Sequence, residues 1–147
     1  MKTHPRRYGL GWGLLGGLGG LLIFIGSTHG GQKDPSETIL RYYQALKEMH
    51  FEEAYGYLSQ QMRSNKTLEQ WVKSTREVFE GGKVEIQKVS TSPAEVDGNR
   101  ARVKSTVVAR DMFNVKGLIE YNLEHLVKEA GRWKLEKTEF LTVEVLE

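Results

Sequence analysis

The chain lacks cysteine altogether, and its main body lacks an excess of either charge. The absence of cysteine among 147 residues excludes disulfides, zinc–thiolate sites, thiol nucleophiles and a lipid-modified N-terminal cysteine. Three basic residues are the only charged ones in the first 32, which leaves 18 basic and 19 acidic residues in the remainder. A body so close to neutrality has no electrostatic reason to bind nucleic acid.

Histidine is also scarce, and the four histidines of the chain show no metal-ligand spacing. No glycine-rich phosphate loop follows a predicted strand. We therefore expect neither a bound metal nor a cofactor. The sequence indicates where the protein lies and how it folds more clearly than it indicates a reaction.

Residues 9–26 form an uncharged apolar segment near the start of the chain. As a helix this segment would be about 27 Å long, just enough for a hydrocarbon core of about 30 Å. Basic residues precede it and the charges after it roughly cancel, so the positive-inside rule places the N-terminus in the cytoplasm and the body outside. The chain thus divides into a basic cytoplasmic tail (1–8), a transmembrane anchor in the lipid bilayer (9–26), a linker (27–34) and a folded domain (35–147).

Two other interpretations of this leader stay open. A cleaved signal peptide shares the basic start, and residues 28–30 fit its small-residue exit loosely. The pair Arg6-Arg7 weakly resembles a twin-arginine signal, although the residues on either side depart from that motif. A tail dissolved in water is excluded, because residues 21–25 would expose a large apolar patch.

Glycines recur at four-residue spacing within the apolar segment. Small residues at this spacing line one face of a helix and let two backbones approach closely, which predicts a helix pair in the membrane. Glycine is also simply common in membrane spans, so this plainer explanation stays open. The glycines concerned are Gly9, Gly13 and Gly17 in one series and Gly16 and Gly20 in the other.

The body opens with helix signals. Asp34 can cap a helix whose first position is Pro35, with Glu37 reaching back to the cap, and residues 67–70 form a second capping box. Apolar residues at helical spacing predict one helix after the first cap, a short one over 51–58, and a third that ends at a glycine pair. The third helix is expected to bury Leu68, Trp71, Val72, Thr75, Val78 and Phe79.

Beyond the third helix the apolar period changes from 3.6 to 2, which is typical of strands. An Asp97-Gly98 hairpin turn is expected within the strand region. Helices followed by strands predict an α+β fold, with about three helices packed on a strongly curved antiparallel sheet of four to five strands. The predicted strands are residues 83–89, 100–111, 117–128 and 133–145.

The two longest strands predict their own register. If Asp111 faces Gly117 across the loop, odd residues pair with odd residues and form one mostly apolar face. Lys104 would then lie opposite Glu124 on the outer face, a favourable charge pair. The expected inner-face pairs are Ala109–Ile119, Val107–Tyr121, Ser105–Leu123 and Val103–His125.

Two stretches of the body carry a family pattern. The first is a helix that ends in Ala-Leu, followed by an aromatic residue, a glutamate and Ala-Tyr-x-x-Leu; the second is Gly-Arg-Trp-Lys-Leu at 131–135. Both resemble the nuclear-transport-factor-2-like superfamily of cystatin-like α+β cones, over about residues 36–145. Met49-His50 departs from the Gly-Asp or Asn-Asp turn usual there. The residues of the first pattern are Ile39, Tyr42, Tyr43, Ala45, Leu46, Phe51, Glu52, Ala54, Tyr55 and Leu58.

This resemblance implies a cone-shaped cavity, but it does not choose a function. Some members of the superfamily are isomerases, dehydratases or hydrolases with an acidic base inside the cone. Many membrane-anchored bacterial members resemble non-catalytic domains that assemble with envelope proteins. Both possibilities follow from the resemblance and not from residue spacing.

No acid and base converge under the predicted register. This register places His125 beside Val103, which is eight residues from Asp111, or about 27 Å at roughly 3.3–3.4 Å per residue. Asp111 is therefore predicted to be a turn residue and His125 a core-edge histidine with a backbone partner. Strict alternation would send Lys137 and Glu139 inward. Because buried unpaired charges are costly, either a bulge turns Phe140 inward instead, or the two charged residues line a wet cavity.

An open cone would offer a pocket to a small molecule, whereas a packed one would use the same aromatic residues as core. Our preferred hypothesis is a single-pass protein of a bacterial cell envelope, acting as a non-enzymatic binding or assembly module for a protein partner or a second copy. The alternative is a small-molecule-binding protein or an isomerase- or dehydratase-like enzyme. The pocket candidates are Tyr43, Tyr55, Trp71, Tyr121, His125, Trp133, Lys137 and Glu139.

Overall fold

The computed structural model describes residues 34–147, which form four helices followed by one five-stranded sheet. The helices are α1 (Pro35–Lys47), α2 (Phe51–Gly56), α3 (Gln60–Arg63) and α4 (Leu68–Gly82). The strands are β1 (Glu85–Thr91), β2 (Glu95–Asp97), β3 (Arg100–Arg110), β4 (Leu118–Glu129) and β5 (Arg132–Val145). The predicted α+β class is therefore confirmed.

The leader predictions lie outside this part of the chain. They comprise the tail at 1–8, the anchor at 9–26 with its glycine series, and nearly all of the linker. Within residues 34–147, every helix is too short or not apolar enough to span a bilayer.

Helix α1 begins as predicted. The Asp34 carboxylate accepts a hydrogen bond from the Ser36 backbone N–H at 2.8 Å, and Pro35 occupies the first turn. Glu37 does not reach back to the cap but binds Arg41 one turn later. The cap satisfies a backbone donor that the helix itself leaves free.

The second predicted cap is also confirmed. The Gln70 backbone N–H donates to the Thr67 hydroxyl at 3.2 Å, and the Thr67 N–H donates to the Gln70 side chain at 3.0 Å, which opens α4. Helix α3 was not predicted. It is a single turn that begins where the Ser59 hydroxyl accepts from the Met62 N–H at 3.0 Å.

The buried stripe predicted for α4 is wrong. No residue of this helix is buried, and Leu68 and Val78 are exposed. The reason is that α4 packs chiefly against α2 and not across the sheet. The remaining stripe residues, Trp71, Val72, Thr75 and Phe79, are half-buried.

The sheet has the order β1–β3–β4–β5, and all neighbouring strands are antiparallel. Beside β1, the short strand β2 also pairs with β3, through the predicted Asp97-Gly98 turn. Gly98 has φ +57°, a conformation that glycine adopts without strain. Strand β2 itself was not predicted.

The register predicted between β3 and β4 is wrong by one residue. Val103 lies opposite Glu124, Ser105 opposite Asn122, and Lys104 opposite Leu123. The predicted pairs Ala109–Ile119, Val107–Tyr121, Ser105–Leu123 and Val103–His125 therefore do not form, and neither does the Lys104–Glu124 pair.

The loop between β3 and β4 explains this shift. The Asn114 carbonyl accepts from the backbone N–H groups of Asp111 and Gly117, so both residues belong to the turn. The first residues to pair are Ala109 and Leu118. Because side chains alternate along a strand, this one-residue difference turns the odd residues of β4, His125 among them, to the outer face.

The core lies between α1, α2 and the inner face of the sheet. We use "inner face" for the side that carries Val103, Ser105 and Val107, all buried as predicted. Strand β4 contributes its even residues to this face. The most fully buried apolar side chains are Ile39, Phe51, Ala54, Leu58, Val103, Leu126 and Leu135.

Strand β5 contains two bulges, at Glu136 and Leu141, where its pairing with β4 skips a residue. The first bulge places Phe140 opposite Asn122 on the inner face. Lys137 and Glu139 consequently lie on the outer face. The bulge that the sequence analysis offered as one alternative is thus confirmed.

Candidate functional site

A buried carboxylate occupies the middle of the inner face. Glu124 is 0% exposed, and its Oε1 accepts hydrogen bonds from the Tyr43 hydroxyl at 2.8 Å and the Ser105 hydroxyl at 2.7 Å. Its Oε2 accepts from the Thr138 hydroxyl at 2.7 Å. These donors come from α1, β3 and β5, so the carboxylate joins a helix to both neighbours of β4. Such bonds offset the cost of burying the group.

Two tyrosines of α1 stand beside this carboxylate. Burial, and then the charge of Glu124, raise the pKa of Tyr43 and the pKa of Tyr42 well above the usual tyrosine value. Their rings meet edge to face, with centroids 5.2 Å apart. Both therefore remain neutral near pH 7, and Tyr43 acts as a hydrogen-bond donor.

The chemistry open to Glu124 is limited by these bonds. Of the roughly four lone-pair positions on a carboxylate, three accept hydrogen bonds from hydroxyl groups of the domain. A general base needs a lone pair directed at the proton of a substrate. Among residues 34–147, moreover, no three histidine or acidic side chains come together as metal ligands. The arrangement is typical of a structural network.

Asn122, the next inner-face residue on β4, is less well satisfied. It is 1% exposed, yet neither its amide nitrogen nor its amide oxygen makes a hydrogen bond of normal geometry within the described part of the chain. Burial raises the pKa of nearby Glu120, an effect that the Asn122 amide partly opposes. A buried amide without a partner costs about 1–3 kcal/mol, so this position has capacity for another polar group.

Past Asn122 the sheet ends in an exposed apolar surface, which we call the apolar end. It combines the β3–β4 loop with the second half of β5, which the bond from the Leu146 N–H to the Gly117 carbonyl at 2.9 Å holds together. Phe113 is 84% exposed and Phe140 is 70% exposed. The apolar end consists of Met112, Phe113, Val115, Phe140, Leu141, Val143, Val145 and Leu146.

The loop displays its apolar residues on a fixed frame. The Asp111 carboxylate accepts from the backbone N–H groups of Phe113 at 2.7 Å and Asn114 at 2.8 Å, and from the Asn114 amide. These bonds lower the pKa of Asp111. Asp111 is thus the turn residue that the sequence predicts, and it holds Phe113 out in solvent.

The second half of β5 also has a free edge. In the first half, Leu135 donates its N–H to the Tyr57 carbonyl at 2.8 Å and accepts from the Ser59 N–H at 2.9 Å, which covers the edge. Beyond Glu136, no backbone group within residues 34–147 pairs with the edge that faces away from β4. Within the described residues, the edge of β5 is therefore bare over 137–145, where it carries exposed Phe140, Val143 and Val145.

The structure does not bring the predicted pocket residues together. Tyr43 is in the interior with Glu124, and Trp133 is buried at the start of β5, where the Lys128 ammonium lies 5.0 Å from its ring centroid. Tyr55 and Trp71 pack between α2 and α4, with centroids 5.7 Å apart. Three separate parts of the core hold these four aromatic residues.

The other four predicted residues lie on the outer face. His125 Nε2 is 3.0 Å from Glu139 Oε2, Lys137 pairs opposite His125, and Tyr121 pairs opposite Thr106. His125 is therefore not a core-edge histidine with a backbone partner. It borders a surface depression of about 360 Å³ between β2 and β4.

The residues that the sequence analysis missed are Glu124, Asn122, Ser105 and Thr138. The first two were missed because of the register, since the odd residues of β4 are the more apolar set and yet face outward. No pattern within β4 alone could have revealed this. The hydroxyl donors become meaningful only once the register is known.

An open groove of about 750 Å³ runs along α4, with Leu68 and Val72 flanked by Glu52, Lys73 and Arg76. It lies on the outside of the helical layer. It is not the enclosed cone that the resemblance implies, and nothing in the structure shows what would occupy it.

The comparisons with known proteins identify a fold and not a family. No protein-family model matches the sequence, and no curated protein matches it. A SEC-C motif containing protein from Rhodopseudomonas palustris superposes with a TM-score of 0.63 at 14% identity, over 76% of this chain and 81% of that one. A Bdellovibrio bacteriovorus protein gives 0.53 at 10% identity, over 70% of this chain and 38% of that one.

A third solved structure names the architecture. A Nostoc punctiforme protein of unknown function with a cystatin-like fold gives a TM-score of 0.51 at 13% identity, over 71% of this chain and 84% of that one. At such identities the likeness shows the fold alone. The body of this chain has a cystatin-like α+β fold, as the family resemblance led us to expect.

Proposed function

We propose that this protein is a non-enzymatic binding or assembly domain, held at the outer side of a bacterial membrane by residues 9–26. Its binding surface in this proposal is the apolar end of the sheet. The observation that carries the proposal is the second half of β5, where Phe140, Val143 and Val145 are all more than half exposed beside a free strand edge.

Two physical arguments support a binding surface there. Exposed apolar patches on soluble domains mark interaction sites, because water is released when a partner covers them. Natural proteins also protect long strand edges, since a bare edge pairs readily with another chain. In β5 the free edge and the apolar side chains coincide, which is the combination that strand addition uses.

The interior supports the non-enzymatic half of the proposal. Glu124 is the acid best placed for catalysis, but hydroxyl groups of the domain occupy most of its acceptor positions. The outer-face pair of His125 and Glu139 faces solvent and not an enclosed cavity. Neither group is arranged around a site that excludes water, which acid–base catalysis uses to advantage.

The membrane half of the proposal has its own test. Protease added outside intact cells should digest the body while the leader stays in the membrane fraction. Lysed cells with the protease inhibited provide the control for release. Recovery of the unprocessed full-length chain in the soluble fraction would contradict the anchor, and a body protected from protease would contradict its orientation.

Photo-crosslinking tests the binding surface in the full-length protein in its membrane. A benzoylphenylalanine introduced at Phe140 should yield a discrete crosslinked product. The same probe at Val96, which is similarly exposed at 57% on β2, serves as the matched control. The Val143→Glu variant should abolish the product by placing a charge in the apolar end.

The mass of the product identifies the partner class. A mass of two chains means self-association, and any other defined mass means a different protein; both support a binding surface. Equal labelling at Phe140 and Val96, or labelling unaffected by Val143→Glu, would overturn the proposed surface.

The Asn122 amide favours a second candidate function, the binding of a small polar molecule. This buried amide lies next to Glu120, and neither of its polar atoms makes a hydrogen bond of normal geometry within residues 34–147. Mass spectrometry of the natively purified protein should then detect a ligand that Asn122→Leu loses. A chain mass free of ligand in both proteins would remove this candidate.

A further inference from the structure

We propose that the partner at the free edge is a second copy of this chain, joined by antiparallel pairing of residues 137–145 with the same residues of the other copy. This inference rests on the proposed function, because it names the partner of the same surface. A two-fold dimer of this kind requires a strand that is complementary to itself.

The backbone of β5 is oriented for such pairing. Leu135 directs both its N–H and its C=O away from β4. The partner of Leu135 on β4 is Leu126, and the partners of Thr138 and Phe140 are Glu124 and Asn122. These three residues of β4 lie on the same face, because they are two positions apart along an unbulged strand. Because residues on one face of a strand direct their backbone groups to the same edge, Thr138 and Phe140 also offer theirs to the free edge.

The bulge at Leu141 restricts the possible registers. On the inner face lie Thr138 and Phe140 before the bulge and Val143 and Val145 after it, as their partners on β4 show. Pairing across the bulge that keeps inner residues opposite inner residues allows two registers. One places Thr138 opposite Val143 of the second copy, and the other places Phe140 opposite Val143 of the second copy.

Charge distinguishes these two registers. The first places Lys137 opposite Glu144 of the second copy, and Glu139 opposite Thr142. The second places Glu139 opposite Glu144 of the second copy. The two-fold axis makes each contact occur twice, so the first register gains two attractive pairs and the second suffers two repulsive ones. We therefore assign the first register, with its axis between Phe140 and Leu141.

This dimer would cover what a single copy leaves bare. The two β5 edges satisfy each other's backbone groups, and the sheets continue from one copy into the next. Phe140 and Val143 from both copies then form one apolar surface on the inner side. The interface uses the half of β5 that the helices do not reach.

Cysteine crosslinking of the full-length protein in its membrane tests the register, and the absence of native cysteine makes the introduced thiols unique. Glu139 and Thr142 of the second copy would form a non-hydrogen-bonded pair with Cα atoms about 4.5 Å apart, close enough for a disulfide. The double variant Glu139→Cys/Thr142→Cys should therefore convert most of the protein to a covalent dimer under mild oxidation.

Matched variants exclude other origins of a dimer. The two positions within one chain are about 10 Å apart along the strand, too far for an internal disulfide. Either single variant should form no covalent dimer. The double variant Phe140→Cys/Val143→Cys, which keeps every charge, reports the competing register. A pairing of leader helices would not by itself bring these positions together.

A charge swap gives a second readout. In the Glu139→Cys/Thr142→Cys background, Lys137→Glu should lower the crosslinked fraction roughly fivefold by opposing two glutamates across the interface, and adding Glu144→Lys should restore it. Failure of this rescue would overturn the assigned register, as would crosslinking by Phe140→Cys/Val143→Cys.

The outcome is separable from the proposed function. If none of the cysteine variants forms a covalent dimer while the Phe140 photo-probe captures a different protein, a second copy is excluded as the partner. The proposed binding surface is then still supported. If neither the cysteines nor the photo-probe reacts above the Val96 control, both proposals fail.

Discussion

The two halves of β5 have opposite surroundings, and the half with the larger apolar share is the exposed one. In the first half, Trp133 is 4% exposed and Leu135 is 0% exposed, with a strand edge bonded to the segment between α2 and α3. In the second half, Phe140 is 70% exposed and the edge is bare. The difference therefore arises from coverage by helices and not from the hydrophobicity of the strand.

The helical layer explains where coverage stops. Helix α1 packs on the inner face, where Tyr43 bonds Glu124, and the segment between α2 and α3 covers Leu135. Helix α4 is the longest helix within residues 34–147, but it contacts α2 through the Phe51–Phe79 and Tyr55–Trp71 rings. It meets the β3–β4 loop at its last residue, where the Gly82 carbonyl accepts from the Met112 N–H. A long helix over the far end of the sheet would enclose a cone. Because α4 packs on α2 instead, the inner face at that end of the sheet is exposed.

Truncating the covered half should have the largest effect. Leu135→Ala should lower the free energy of unfolding by about 2–5 kcal/mol, because it leaves a cavity among fully buried side chains. Urea unfolding of the full-length protein in lipid nanodiscs, followed by far-ultraviolet circular dichroism, measures this loss.

Val143→Ala in the uncovered half is the matched control. At concentrations that keep the chain monomeric, this change should alter the free energy of unfolding by no more than about 0.5 kcal/mol. Equal losses in the two variants would show that the second half of β5 is as well covered as the first.

Removing a hydrogen bond from buried Glu124 should have the next largest effect on the free energy of unfolding. Tyr43→Phe removes the 2.8 Å hydrogen bond to Glu124 and should cost about 1.5–3 kcal/mol, the usual range for a bond to a charged group. Tyr57→Phe, whose hydroxyl makes an exposed 3.3 Å contact with Glu53, is the control and should change little. The same urea titration at pH 7 compares them.

The free energy of unfolding at alkaline pH should also depend on the Tyr43 hydroxyl. Because the pKa of Tyr43 is raised in the native state above its ordinary value of 10.0, its contribution is complete below that pH and declines as pH rises toward the native pKa. Above pH 10 the wild type should lose about 1.4 kcal/mol per pH unit from this group, and Tyr43→Phe should not. Parallel losses in both proteins would contradict a buried, neutral Tyr43.

The sequence was a good guide to local structure. Caps at Asp34 and Thr67, the Asp97-Gly98 turn and the alternation of the long strands fixed the ends of most elements to within one or two residues. These signals depend on neighbours in sequence and can be recognised without tertiary structure. The two elements that were missed, α3 and β2, are four and three residues long, too short for any period to show.

Long-range contacts were predicted less well. The apolar odd residues of β4 indicated the wrong inner face, because the fold buries Asn122 and Glu124 instead and stabilises Glu124 with hydroxyls on three other elements. The apolar stripe of α4 likewise indicated burial against the sheet, although the helix packs on α2. In both cases the apolar residues correctly mark a partly covered face of the strand or helix. The local sequence does not identify which element covers that face.

A substitution on the outer face of β4 should have the smallest effect on the free energy of unfolding. His125→Gln removes the exposed contact with Glu139, and surface ion pairs contribute at most about 1 kcal/mol, so the urea midpoint should move slightly. The neighbouring variant Glu124→Gln, one residue away on the inner face, provides the contrast and should destabilise more. If the loss for His125→Gln exceeded that for Glu124→Gln, His125 would be the buried residue of β4. The register that pairs Val103 with His125 would then be correct, with Glu139 on the inner face and Phe140 on the outer face.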